Sequence, residues 1–211
     1  MAGLEERERP TTLTAWLRQV AHPVVYGVAR FLIRLGLTAN MVTVAGVLFA
    51  AVAGYLAARG WFFWAGVVLI VGMPLDAFDG AVARLTGGAT RSGALLDSTL
   101  DRYGEFFVLA GLAYYYAVAG QPVPVVLAFV TLFGSVMVSY VRARSEGLQI
   151  DNKVGLMTRV ERSIVTVLAL LTGYVVVGLW LLAVLTHFTV AQRVWHALRA
   201  VRGDDHIRDD H

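Results

Sequence analysis

The sequence predicts an all-α integral membrane protein: six transmembrane helices behind an N-terminal amphipathic surface helix, around a polar cavity that faces the cytoplasm. Three observations carry that prediction. Hydrophobic residues make up 57% and charged residues only 16% of the 211 positions, and a mean hydropathy of +0.64 is too apolar for a soluble domain of this length. Six apolar stretches approach the roughly 20 residues that a helix needs to cross the hydrocarbon. Charges gather between these stretches, nearly all on one side.

Residues 1–40 are read as a tail followed by a juxtamembrane helix. From Thr11 to Leu37, apolar Trp16, Leu17, Val20, Val24, Val28, Phe31 and Leu35 alternate with Arg18, Arg30 and Arg34, the pattern of a helix lying on a membrane surface, with a bend expected at Pro23. A cleavable signal peptide is excluded, because the first ten residues hold five charges and no small-residue cleavage site follows an apolar core. The six spans fall at 41–59, 61–83, 94–118, 123–143, 160–177 and 179–200, forming one domain over 41–202. Residues 203–211, acidic and histidine-bearing, are expected to form a disordered, solvated tail. Cysteine is absent, which rules out disulfides and thiolate metal sites.

Charge placement sets the expected orientation. Of 18 Lys and Arg residues, only Arg59 falls where spans 1 and 2, 3 and 4, or 5 and 6 connect. By the positive-inside rule, both termini and the functional face of this multi-pass cell-membrane protein are therefore cytoplasmic. The opposite face offers Trp61, Phe62, Phe63 and Trp64 as an interfacial aromatic anchor and a short turn over Gly120–Pro124.

Asp76, Asp79, Asp97 and Asp101 sit within or beside these apolar segments. One carboxylate at membrane depth costs about 2.5–3.5 kcal/mol even on the lenient insertion scale, so four require a compensating cation. Spacings of three and four place Asp76, Asp79, Gly80, Ala83 and Arg84 on one helical stripe, and Asp97 with Asp101 on another. The eight residues between Arg84 and Gly93 bring the chain back antiparallel. Oxygen donors without Cys or His suit Mg2+ or Mn2+, and the carboxylate count accommodates two ions. Gly80, Ala83 and Gly93 keep the facing stripes low, and Arg84 supplies a fork for phosphate.

At every defining position and spacing, Asp76-Ala-Phe-Asp79-Gly80-Ala-Val-Ala83-Arg84, eight residues, then Gly93-Ala-Leu-Leu-Asp97-Ser-Thr-Leu-Asp101, resembles the signature of the CDP-alcohol phosphotransferases. Leu37 to Thr43 is similar to that family's approach to the first membrane helix, with Ala39 where a proline is usual. The resemblance implies transfer of a phosphatidyl-type group from a CDP-linked lipid to an alcohol, with release of CMP. It implies metal ligation by Asp76, Asp79, Asp97 and Asp101, with Asp101 accepting the proton of the attacking hydroxyl. Gly80, Ala83, Arg84 and Gly93 would border the CDP-lipid, joined by Asn40 and Thr43. It further implies a homodimer among membrane lipids; a nucleic-acid partner is not expected.

A second basic cluster bears on the alcohol. Arg142, Arg159, Arg162 and Arg193 have spacings that allow them to face the aspartates, and an acceptor carrying its own phosphate needs such forks. The arrangement resembles the branch of the family that uses inositol phosphate. Glycerol-3-phosphate is the alternative acceptor, and a divalent-cation transporter is the alternative from a different class. Clustering of the carboxylates at one end beside an arginine argues against a transport path.

Overall fold

The computed structural model describes the backbone of residues 13–88 and 90–209, and the side chains of 23–88 and 90–201. Among the described residues all regular structure is helical: α1 Leu13–Arg34, α2 Ala39–Ala58, α3 Phe62–Gly72, α4 Leu75–Leu85, α5 Arg91–Val118, α6 Pro122–Glu146, α7 Arg159–Thr172 and α8 Val175–Asp209. Four segments, Ala39–Ala58, Phe62–Leu85, Pro122–Glu146 and Val175–Val201, are long and apolar enough to cross a membrane. The other two expected spans are α5, 28 residues long with its charges confined to the segment from Arg91 to Glu105, and α7, only 14 residues long with Arg159, Glu161 and Arg162 in its first turn.

Two boundaries differ from the sequence reading. The stretch 61–83, expected as one helix, divides into α3 and α4 at Met73 and Pro74. Pro74 has no N–H to continue the ladder, and its carbonyl instead receives the amides of Ala77 and Phe78 as the start of a new helix. The aspartates of this segment thus lie on a separate short helix. Further on, the break between the last two helices falls at Gly173, not near residue 178. Gly173 takes the left-handed conformation, φ 78°, that ends α7. Gly178 lies inside α8 instead. α8 continues as helix to Asp209, into the segment read as a tail, while residues 1–12 and 210–211 lie outside the described ones.

Thr38 starts α2 by accepting the amide of Met41, and Thr90 starts α5 by accepting that of Gly93 at 3.0 Å. α2 and α5 then run parallel, with Ala50 touching Gly104 and Gly54 against Phe107 and Gly111. The last contact is backbone on backbone: a Cβ added at Gly111 would lie 2.0 Å from the Gly54 carbonyl oxygen. Lipid tails are as apolar as side chains, so close approach of this kind, not water exclusion, holds membrane helices together. The shared core continues through Ala53, Ala57, Leu109, Leu112, Leu170 and Leu179.

α1 lies along α4, burying Ala29 against Ala81 and Val82, with Pro23 inside the helix. The segment 147–158 between α6 and α7 is held to one stripe of α8. Thr189 and Gln192 accept the amides of Met157 and Leu156, and Arg193 donates to the Val154 carbonyl.

Replacing Gly111 by Ala should separate α2 from α5 and destabilise the protein by about 1–3 kcal/mol. Gly27→Ala, at a helical position where a Cβ meets nothing within 4 Å, should leave stability equal or slightly raised. Thermal unfolding in a membrane mimetic reads both; an unchanged Gly111→Ala midpoint would show that the two helices do not need their contact.

Candidate active site

α4, α5 and α7 bring their charged residues together, and α2 adds the hydroxyl of Thr43. Asp79 is buried on α4, and its Oδ2 accepts the Thr43 hydroxyl of α2 at 2.7 Å. Arg159, the first residue of α7, bridges the other two helices: Nη1 lies 2.6 Å from Asp76 Oδ2 and Nη2 2.6 Å from Asp101 Oδ1. Such a fork binds one oxygen of each carboxylate and fixes α4 and α5 relative to α7. The fourth carboxylate, Asp97, has a buried Oδ1 with no hydrogen-bond partner.

The four aspartates are near enough to interact electrostatically. Among the described residues, however, no three acidic or histidine side chains close on a common point as ligands of one ion, and the Arg159 fork occupies the position between Asp76 and Asp101. The expected convergence therefore takes the form of a compensated charge cluster.

One helical turn beyond Asp101 the cluster continues with residues that sequence reasoning passed over. Glu105 Oε1 lies 2.6 Å from Arg162 Nη2 and 3.6 Å from Arg102 Nη1. Arg102 donates to Ser139 of α6 at 2.6 Å and lies 3.8 Å from Asp101. A signal was available: Asp97, Asp101 and Glu105 follow one another at spacings of four on a single face.

Arg84 folds back over Gly80, where a Cβ would come within 3.3 Å of Nη1, and its Nε donates to the Tyr26 hydroxyl of α1 at 3.0 Å. Ala83, half-buried, precedes it on α4. Asn40 Oδ1 lies beside Gly93, 3.7 Å from where a Cβ would stand. Tyr26 gave no signal in the sequence, because the pairing of α1 with α4 is a tertiary fact.

The arginines assigned to the acceptor separate into three environments. Arg159 and Arg162 line a cavity of about 120 Å3 together with Asp76, Asp101, Glu105, Thr131, Thr166 and Leu182. Arg193 is buried and donates to the carbonyls of Val154 and Val138, at 2.9 and 2.6 Å, tying the 147–158 segment and α6 to α8. Arg142 is exposed and paired with Glu146 at 2.8 Å. Neither of these two is part of the cavity lining.

The CDP-alcohol phosphatidyltransferase profile matches residues 36–198, which include every aspartate and arginine of this site. The chain belongs to the CDP-alcohol phosphatidyltransferase family. It is 39% identical over 171 residues to the archaetidylinositol phosphate synthase of Pyrococcus horikoshii, covering 81% of this chain and 88% of that one. To the phosphatidylinositol phosphate synthase of Mycolicibacterium smegmatis it is 37% identical over 188 residues, covering 83% and 84%. The crystal structure of the Mycobacterium tuberculosis phosphatidylinositol phosphate synthase with CDP-DAG bound superposes with a TM-score of 0.77 at 32% identity, over 83% of this chain and 94% of that one. The same enzyme in complex with manganese and citrate gives 0.75, over 82% and 88%.

Thr43→Val should leave Asp79 buried without its hydroxyl partner. The expected cost is about 1–3 kcal/mol of stability, measured by thermal unfolding. Thr43→Ser, which keeps the donor, should stay near wild type. Equal midpoints for the Val and Ser variants would remove the hydrogen bond from any account of the site.

Proposed function

We propose that this enzyme transfers the phosphatidyl-type group of a CDP-linked lipid to a hydroxyl of inositol phosphate, releasing CMP. The observation that carries the reading is the cavity lining: Asp101, a carboxylate able to accept a proton, lines it together with Arg159 and Arg162, whose positive charge suits an anionic acceptor. The names of the relatives point to the same acceptor. In the proposed reaction the acceptor's hydroxyl oxygen forms a bond to the lipid-side phosphorus of the diphosphate, the bond from that phosphorus to the bridging oxygen breaks, CMP leaves, and the hydroxyl proton passes to Asp101. Arg84, with Gly80, Ala83, Gly93, Asn40 and Thr43, borders the nucleotide. Arg162 and Arg159 hold the acceptor's phosphate; Arg193, and Arg142 at the rim, support that pocket from outside the cavity.

The residues fit a divalent cation. Their donors are all oxygens, Asp97 Oδ1 is buried without a partner, and the Arg159 fork engages only one oxygen each of Asp76 and Asp101. Asp76, Asp79, Asp97 and Asp101 would hold Mg2+ or Mn2+, two ions in this reading, which supply neutralisation of charge on the bridging and leaving oxygens. The manganese complex of the mycobacterial enzyme supports a divalent ion.

The reading includes six membrane spans, with α3–α4 as one interrupted span and α5 and α7 as the two that carry the site. Lys and Arg placement supports the site and both termini facing the cytoplasm. Assembly as a homodimer belongs to the same reading. Gly111 is engaged with α2, so a second copy would use a different face.

The test is CMP release by purified protein from CDP-diacylglycerol and Mg2+ or Mn2+, comparing inositol phosphate, glycerol-3-phosphate, inositol and serine. Inositol phosphate should give the highest kcat/KM. Preference for glycerol-3-phosphate would move the assignment to the alternative acceptor, and no CMP release with any acceptor would leave the transporter reading. Asp101→Asn should lose turnover by roughly two to four orders of magnitude, the range of general-base catalysis, while still binding CDP-lipid. Asp97→Asn should also weaken Mn2+ binding, read directly by titration; unaltered affinity there would remove Asp97 from the ligand set.

A further inference from the structure

Glu105 stands outside the family signature, yet it joins two of the site's arginines, Arg102 and Arg162. Its Oε1 receives Arg162 Nη2 at 2.6 Å and faces Arg102 Nη1 at 3.6 Å. Arg162 is only 4% exposed, and its other hydrogen bond is from Nη1 to the Met157 carbonyl at 3.2 Å. Glu105 is therefore the only carboxylate paired with Arg162 among the described residues. Without it two guanidiniums that already repel each other would remain, Arg102 and Arg162, with no anion between them.

The group is also not closed on itself. Glu105 Oε2, Arg162 Nε and Arg102 Nε are all buried without a hydrogen-bond partner. Three such atoms in one cluster are unusual, because buried polar groups are almost always paired. Glu105 and Arg162 line the cavity beside Asp101. A purely structural ion pair would have its remaining donors and acceptors satisfied by the protein, whereas here two residues that carry unsatisfied atoms, Glu105 and Arg162, belong to the cavity lining.

We propose that Glu105 is a positioning residue for the acceptor: its carboxylate fixes the Arg162 guanidinium at the cavity wall, and it acts on the acceptor's phosphate through that arginine. This rests on the phosphorylated-acceptor reading above. Glu105 itself transfers no proton and binds no nucleotide.

The test is steady-state kinetics of the full-length protein in lipid nanodiscs, with the KM for inositol phosphate and for CDP-diacylglycerol measured separately. Glu105→Gln keeps the shape and removes the charge. It should raise the acceptor KM by about tenfold or more, the worth of a charge-assisted contact, and leave the KM for CDP-diacylglycerol unchanged. Glu105→Asp, which keeps the charge at shorter reach, should recover part of the loss. The deciding readout is coupling: in an Arg162→Ala background, Glu105→Gln should raise the acceptor KM by no more than about twofold, since its route to the acceptor is already cut.

Full multiplication of the two effects overturns the proposal, as does an equal rise in both KM values, or a lowered unfolding temperature with an unchanged acceptor KM. Should Glu105→Gln not fold, Glu105→Asp carries the test. Its acceptor KM must rise while that for CDP-diacylglycerol holds, and a wild-type acceptor KM overturns the idea. Failure of the underlying functional reading shows elsewhere, as wild-type protein that releases no CMP with inositol phosphate.

Discussion

Charge compensation inside an apolar bundle governs this structure. Ionised groups at membrane depth are costly alone, and removing one partner of a buried pair leaves an uncompensated charge. The protein meets the cost with a chain of alternating signs: Asp76, Arg159, Asp101, Arg102, Glu105 and Arg162, with successive separations of 2.6, 2.6, 3.8, 3.6 and 2.6 Å. Its members come from α4, α5 and α7 alone. Any helix that moved would break a link, so the charges also fix the angle at which the three helices meet.

Tight packing elsewhere makes that meeting possible. The backbone contact between Gly54 and Gly111 lets α2 and α5 run side by side, which in turn places Thr43 of α2 under Asp79. The interruption at Pro74 places the aspartates on α4, a helix separate from α3, within one apolar stretch. On the far side, the buried Arg193 ties the 147–158 segment to α8, and α7 begins directly after that segment with Arg159. An arginine that does not line the cavity thereby helps set the placement of one that does.

Much of this could be read from the sequence. The aspartate pairs and their helical faces follow from spacing and residue type, which are local. The division of α3 from α4 was legible in Pro74 but outweighed by the length of the apolar run. The end of α7 lay at one of two glycines five residues apart, Gly173 and Gly178, and only the backbone conformation of the first distinguishes them. The pairings of Arg159, Arg162, Arg193 and Tyr26 were not legible. A guanidinium on a long side chain can reach a carboxylate, a carbonyl or a phosphate from the same helical position, and which it meets depends on how other helices pack.

The charge count of the site connects its architecture to its proposed chemistry. Five carboxylates, those of Asp76, Asp79, Asp97, Asp101 and Glu105, stand with three guanidiniums, those of Arg102, Arg159 and Arg162, an excess of two negative charges if all are ionised. One divalent cation would balance that excess, and two would leave a surplus of positive charge for the anionic substrates. The alternating chain also distributes the sign: carboxylates lie on the α4 and α5 stripes, which the proposed reaction assigns to cations, while Arg159 and Arg162 of α7 carry positive charge to the cavity lining. A substrate bearing a diphosphate and a partner bearing its own phosphate would match this distribution of charge, with Arg162 held at the cavity by Glu105.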